Sequence, residues 1–419
     1  MTPSFLRVDS VSADSRSLTV AFSLSANLNR YFNEPHVFRV KYSQDISGVP
    51  EGILVIPFIT NVLPIIWLTD AVLQVPRLDR VFYESIPEIK KGYADMSPML
   101  TFKGRVEVDE LEEHDVSPSE QVAAFFSGGV DAFATLIRHR EEKPILLTMR
   151  GSDVKLTDEE GWQVVHDHTL ETARQFDLPE PVFITSNFRT FLREGELTNL
   201  VKVSGYNYWL GYQCGIGLIG HAAPMAFCRR FKTVYIASSF TSHDQVICGS
   251  DPTIDEKVRW ASSSVVHDGY EWNRQRKLKS IVEYAHCTGA YPQLRVCWIT
   301  SGGKNCSQCE KCLRTMYGIL AEGEDPTRYG FDMSSLHPVR NRRTMLALSK
   351  DFRLAEWEPI LLRFRETRHY AEDSRVNWIF KIKDLRHCPM QDRLYFLRRK
   401  YVRKLQHMFS NIRRALTGK

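Results

Sequence analysis

Strong net charge is missing from this 419-residue chain, in which 55 Lys and Arg stand against 50 Asp and Glu for a surplus of only +5. That balance excludes a chain that holds nucleic acid by charge over its whole surface. Met1 to Phe5 contain no basic patch followed by an apolar run, so no secretory signal is expected. No unbroken apolar stretch reaches the roughly 20 residues that a membrane-spanning helix needs. The most apolar segment, Ile53 to Val75, is interrupted by Pro57, Asn61, Pro64 and Asp70 and reads as core. Internal repeats and low-complexity runs are absent. The nine cysteines are an odd number, and four of them crowd between Cys297 and Cys312. Without export signals, that clustering favours metal over disulfides. Asn305-Cys306-Ser307 is formally a glycosylation sequon, without meaning in a reducing compartment. These absences predict a cytoplasmic protein with no membrane attachment.

What is present is a globular composition, 43% hydrophobic and 25% charged, in a chain long enough for two or three domains. Residues 1–115 read as a β-rich N-terminal domain. Leu18, Val20, Phe22 and Leu24 alternate with small or polar residues, and His36 to Tyr42 and Ile53 to Ile56 are further strand candidates. A short helix is expected from Arg77 to Ile86, ended by Pro87, and acidic Glu107 to Glu120 reads as a linker. The pattern then changes. Val122–Phe126, Pro144–Thr148, Pro181–Thr185 and Thr233–Ala237 are short apolar runs separated by helical stretches, with Ser264–His267 and Arg295–Trp298 as two more. Such alternation predicts an α/β fold with a doubly wound parallel sheet, placed at residues 120–330. Residues 331–419 are expected to be helical and basic.

Ser127-Gly128-Gly129-Val130-Asp131 lies where the first of these strands meets a helix. Two glycines allow positive φ and close approach to an anion, and helix-start N–H groups would face phosphates. Ser127 adds a hydroxyl, and Asp131 is placed to hold Mg²⁺ or to orient the loop. Gly215-Ile-Gly217-Leu-Ile-Gly220 matches a dinucleotide fingerprint but follows no clear strand. Ser239, Phe240 and His243 stand where an acidic ribose ligand would be needed. It is expected to be a helix with small residues packed on the sheet. Ser301-Gly-Gly-Lys304 repeats three letters of the loop and is expected to be a turn of the cysteine cluster.

Cys297, Cys306, Cys309 and Cys312 form C-x₈-C-x₂-C-x₂-C. Four thiolates complete a tetrahedral Zn²⁺ and leave no position for water, so the zinc would be structural. Thiolates also suit an iron–sulfur cluster. Cys214, Cys228, Cys248, Cys287 and Cys388 read as isolated small core residues.

The loop resembles the SGGxDS motif of the PP-loop ATPases, or adenine nucleotide α-hydrolases, of Rossmann-like fold; the family's final serine is Ala132 here. With the cysteine spacing and Leu313-Arg314, the segment from Val122 to Gly330 is similar to 7-cyano-7-deazaguanine synthase and its QueC-like relatives. That resemblance implies an ATP-dependent ligase or synthase. It would cleave ATP to AMP and pyrophosphate to adenylate a carboxylate, of 7-deazaguanine type or a related acyl group, for amide, nitrile or conjugate formation. It implies ATP held by Ser127, Gly128, Gly129, Val130, Asp131 and Ala132, with Mg²⁺, and Zn²⁺ on the four cysteines. A sugar or nucleotide amidotransferase and a non-catalytic ATP-binding component stay open beside it. Some QueC-like proteins with added domains belong to bacterial antiviral defence, and the resemblance extends that setting to this chain.

A cation near the loop would neutralise the pyrophosphate leaving group. Arg274, Arg276, Lys277 and Lys279 follow His267-Asp268-Gly269, and Lys277 is the candidate, by resemblance to a basic residue after the fifth strand; a solvated basic face is the alternative. Asp244, Asp251 and Asp255, followed by Lys257 and Arg259, are expected to line the cleft. His166-Asp167-His168 reads as surface or packing. From Leu361 onward sixteen Lys and Arg face five Asp and Glu. That tail, interleaved with Tyr395, Phe396, Tyr401 and Phe409, reads either as a grip on nucleic acid or an acidic protein, or as a helix docked on its own domain. The N-terminal region is the other candidate for a protein or nucleic-acid partner.

Overall fold

A computed structural model describes residues 4–204, 209–244, 246–261, 263–297, 299, 303–398 and 401–402. The chain forms two compact units, Met1–Lys304 and Asn305–Lys419.

The first unit is built on one sheet of eleven strands. These are β1 (Phe5–Ala13), β2 (Ser17–Leu24), β3 (Val37–Tyr42), β4 (Val72–Asp79), β5 (Arg105–Glu112), β6 (Val122–Phe125), β7 (Ile145–Arg150), β8 (Val182–Ser186), β9 (Thr233–Ala237), β10 (Arg259–Trp260) and β11 (Ser263–Asp268). Their order is β10-β11-β9-β6-β7-β8-β3-β2-β1-β4-β5. From β11 to β8 all pairings are parallel, as the alternating strands and helices predict.

The β-rich residues 1–115, expected to stand apart, instead continue this sheet. β3 pairs antiparallel with β8, setting Val40 opposite Ser186 and Tyr42 opposite Ile184, so both halves share one core. The reason is burial: Phe22, Phe38 and Phe58 pack with Phe191, from the loop after β8. Three local expectations also change. Ile53–Ile56 is not a strand; Glu51–Leu54 and Ile56–Leu68 are helices, the second buried almost all round and, at 13 residues, too short to cross a bilayer. The helix expected at Arg77–Ile86 starts only at Arg80 and runs through Pro87 to Met96, capped by the Asp79 carboxylate, which accepts from the Phe82 N–H at 2.8 Å. The first part of the expected linker, Glu107–Glu112, belongs to β5, paired parallel to β4 at the sheet edge. Val106 and Val108 supply its partly buried side, a pattern its acidic residues hide.

The described residues of the second unit are largely helical. Its helices Glu310–Ala321, Pro338–Leu346 and Lys350–Thr367 enclose Tyr317, Met345, Trp357 and Trp378. The Trp378 indole donates to the Tyr317 hydroxyl at 3.1 Å. Among the described residues no helix is long and apolar enough to cross a membrane. Arg403, Lys404, Phe409, Arg413 and Arg414 of the basic tail lie outside the described residues.

Candidate functional site

The parallel half of the sheet has a switch point. The chain leaves β6 toward β7 on one side and later returns to place β9 on the other. Beyond the carboxyl ends of two such strands a crevice opens, the usual ligand position in doubly wound sheets. Ser127 to Asp131 leave β6 at that point, and Ser238 leaves β9.

The loop has the backbone its glycines permit. Gly128 has φ +74°, and Gly129 (φ −79°, extended ψ) caps the helix Val130–Arg138. A Cβ on Gly128 would stand 2.7 Å from Cε1 of His168, so both conformation and space demand glycine there. The Ser127 hydroxyl accepts from the Gly129 N–H at 3.4 Å. Ala132 is buried in the first helical turn. Gly128→Ala is expected to displace the loop and weaken anion binding at least about 30-fold while the rest of the fold survives, because the strain is confined to one turn. Titration calorimetry with ATP checks it.

Lys277 reaches this loop from the helix Arg274–Thr288, which follows β11. Its side chain is 2% exposed, and Nζ lies 3.1 Å from Asp131 Oδ1 and 2.5 Å from the Ser238 carbonyl oxygen. Arg274 Nη1 approaches Asp131 Oδ2 at 3.4 Å. One ammonium thus joins the loops after β6 and β9 across the switch point. Both Asp131 oxygens face cations, which suits loop orientation better than direct coordination of Mg²⁺. Asp131 also sits in the first turn of its helix, where negative charge is favoured. Arg276 and Lys279 instead pair with Glu283 on the outer face.

The expected cleft carboxylates are occupied by the fold. Asp244 Oδ2 accepts from the backbone N–H and hydroxyl of Thr241. Asp251 caps the Pro252–Asp255 turn. Asp255 is fully buried against His267 Nδ1 and the Ser250 hydroxyl, each at 2.8 Å. Burial raises its pKa, and those two bonds oppose the rise. Arg259 pairs with Glu88 at 3.2 Å.

Sequence reasoning missed two residues that shape the loop. Arg295, assigned to a strand, is in an irregular segment; its N–H donates to the Gly128 carbonyl at 2.7 Å and its Nε to the Ser127 carbonyl at 3.0 Å. Burial lowers its pKa, putting a desolvated cation beside the glycine loop. His168, read as surface or packing, is stacked on Phe126, and its Nε2 is 2.5 Å from the Gln293 carbonyl. Burial holds its imidazole below the usual value, so near neutral pH Nε2 carries the proton and donates. Neither has a motif that could have revealed it.

The helix behind the loop is fastened to β11 by Asp268. That carboxylate accepts from Thr135 Oγ1 at 2.7 Å and lies 3.0 Å from His139 Nε2 and 3.4 Å from Arg138 Nε. Burial alone would lower the His139 pKa, but bonds to Asp268 and Glu142 outweigh it and raise it. The stabilisation from charged His139 is therefore complete below its unfolded value near 6.5 and is lost as pH rises through the raised folded value. His139→Gln should lower the melting temperature more at pH 6 than at pH 9, which thermal scans at both pH values will show.

The four cysteine sulfurs all lie within 4.8 Å of one another. A Zn–S bond of about 2.3 Å puts tetrahedral ligands about 3.8 Å apart, and Cys306 Sγ to Cys312 Sγ is 3.9 Å. Cys297, Cys309 and Cys312 are buried. Cys306 Sγ accepts from the Cys309 N–H at 3.2 Å, and Cys309 Sγ from the Cys312 N–H at 3.5 Å, capping the helix Glu310–Ala321. Such N–H···S bonds and the helix start favour thiolates. The donor set and spacing can hold a metal ion such as zinc.

Of the glycine fingerprint at 215–220, Ile216–Ile219 is helical, and Gly217 and Gly220 meet the helix Ile56–Leu68. A Cβ at Gly217 would lie 2.7 Å from Asn61 Oδ1, and one at Gly220 2.1 Å from Thr60 Oγ1. Ser301 and Gly302 of the segment Ser301–Lys304 lie outside the described residues. No protein-family model matches the chain, and no curated protein and no solved structure matches it.

Proposed function

We propose that this protein binds ATP at Ser127–Ala132 and cleaves it to AMP and pyrophosphate while activating a carboxylate. The observation that carries the proposal is the meeting of Lys277 and Asp131 beside the Gly128-Gly129 turn, at the carboxyl ends of β6 and β9. In this reading a carboxylate oxygen attacks the α-phosphorus and the bond to the β-phosphate breaks. Charge then grows on the departing pyrophosphate, and Lys277 with the N–H groups of the glycine turn is placed to offset it. Mg²⁺ would arrive on the triphosphate and neutralise it, while Asp131 keeps the loop and Lys277 in register. Zinc on the four cysteines would be structural. The substrate class, a 7-deazaguanine-type or related acyl group, rests on the sequence resemblance.

The test is turnover of α-labelled ATP with carboxylate acceptors, with or without ammonia. AMP and pyrophosphate in equal amounts, dependent on an acceptor, support the reading; intact, metal-loaded protein that binds ATP but forms no AMP with any acceptor rejects it. Ala132 favours one alternative, a non-catalytic nucleotide-binding component, because the family's final serine hydroxyl is missing. Ala132→Ser separates the two: an active parent protein changes little, whereas a degenerate site gains activity only in the variant.

A further inference from the structure

Five cysteines lie outside the metal cluster, and two of them meet. The sulfurs of Cys214 and Cys248 lie 3.7 Å apart, within hydrogen-bond reach, and both residues are partly exposed. Glycines bring them together. Cys214 precedes Gly215, and Cys248 precedes Gly249. A Cβ on Gly215 would lie 2.1 Å from the Gly249 carbonyl oxygen, and one on Gly249 would lie 2.5 Å from that of Tyr212. Only missing side chains let these two backbones touch, and the Gly249 N–H donates to the Gly211 carbonyl to hold them there. The sulfur contact is therefore fixed by the main chain on both sides.

We propose that Cys214 and Cys248 form a peroxide-sensitive dithiol, a modification site in which Cys248 is oxidised first and Cys214 resolves it to a disulfide. The Cys248 thiolate attacks one oxygen of a hydroperoxide, and the O–O bond breaks. The departing oxygen takes a proton to leave as water or an alcohol, and Cys248 becomes a sulfenic acid. Cys214 then attacks that sulfur; the S–O bond breaks, the hydroxyl leaves as water with the Cys214 proton, and the S–S bond forms. The peroxide gains the two electrons that the sulfurs lose.

The contact geometry supports the pairing, and the electrostatics around it favour Cys248 as the first to react. A disulfide needs sulfurs about 2.05 Å apart, so the pair must close by only about 1.7 Å. The hydrogen bond from Cys214 is the main cause that lowers the Cys248 pKa, against burial and the negative charges of Asp255 and Asp251. The same bond, burial and Asp255 push Cys214 well above its usual value, as suits a resolving thiol. By contrast, burial raises the Cys228 and Cys388 thiols. Cys248 belongs to the segment that leaves β9 at Ser238, so the cross-link would tie this segment to the helix Leu210–Gln213. The chemistry does not depend on the nucleotide reading.

The test treats full-length, metal-loaded protein with one equivalent of hydrogen peroxide and digests it without reduction. The first product in mass spectrometry should be the linked 214–248 peptide pair. Cys214→Ser should lose the link and accumulate Cys248 sulfenic acid trapped by dimedone, and Cys248→Ser should leave Cys214 as a thiol. Oxidation reaching Cys228, Cys287, Cys388 or the metal cysteines first would overturn the proposal. So would a Cys248 sulfenic acid that persists in the unsubstituted protein, which needs no variant to observe.

Discussion

Cys312→Ser should leave the protein with less than about a tenth of the one metal ion per chain expected of the parent, and with a melting temperature lower by on the order of 10 °C. Cys312 is fully buried in the first turn of the helix Glu310–Ala321, and its N–H also donates to Cys309 Sγ. A serine there offers a weak, neutral ligand and leaves three thiolates crowded without their counter-charge. Structural zinc in small domains contributes about 10–16 kcal/mol, comparable with the whole stability of many domains. The same helix carries Arg314, whose Nε lies 3.4 Å from Glu310 and which also pairs with Glu356, so loosening its first turn would reach the core around Trp357. Elemental analysis and calorimetry check both parts. Full metal content in the variant would show that Cys312 is not needed to hold the metal.

The second large effect is expected at Lys277. Lys277→Met should reduce AMP formation by about 10²- to 10³-fold, the usual consequence of removing a donor from developing charge. ATP affinity should change less, since the glycine turn and Arg295 remain. Lys277→Arg is not expected to restore more than about a tenth of the activity. The ammonium lies in a closed space between Asp131 and the Ser238 carbonyl, and a planar guanidinium needs room that this space lacks. Steady-state rates of both variants, with melting curves as a control for folding, decide the matter. A Lys277→Met protein of near-parental activity would remove Lys277 from the chemistry.

The contrast between these sites shows what could be read from the chain alone. Val122–Phe125 and Thr233–Ala237 were legible because buried parallel strands are short, continuous apolar runs bounded by turns. The turn at Ser127–Asp131 was legible because a glycine pair ends an apolar run where helical spacing begins, and the cysteine cluster because its spacing is local. The joining of the two half-sheets was not, since it depends on Tyr42 meeting Ile184 far along the chain. β5 was hidden by acidic residues on its exposed side. Ile56–Leu68, buried almost all round, has no amphipathic period to separate it from a strand. Arg295 and His168 act on the loop through backbone carbonyls and packing, which require no particular neighbours in sequence. Cys214 and Cys248 were read as solitary because only Gly215 and Gly249, by allowing backbone contact, bring them together.

The central claim is that Ser127–Asp131 holds the phosphates of ATP. Titration calorimetry of ATP with Mg²⁺ into the parent protein and Gly128→Ala tests it most directly, with melting curves to confirm that both are folded. One ATP per chain should bind the parent, with affinity at least about 30-fold weaker in the variant. Equal affinity in the two folded proteins, or no binding to the parent, would contradict it.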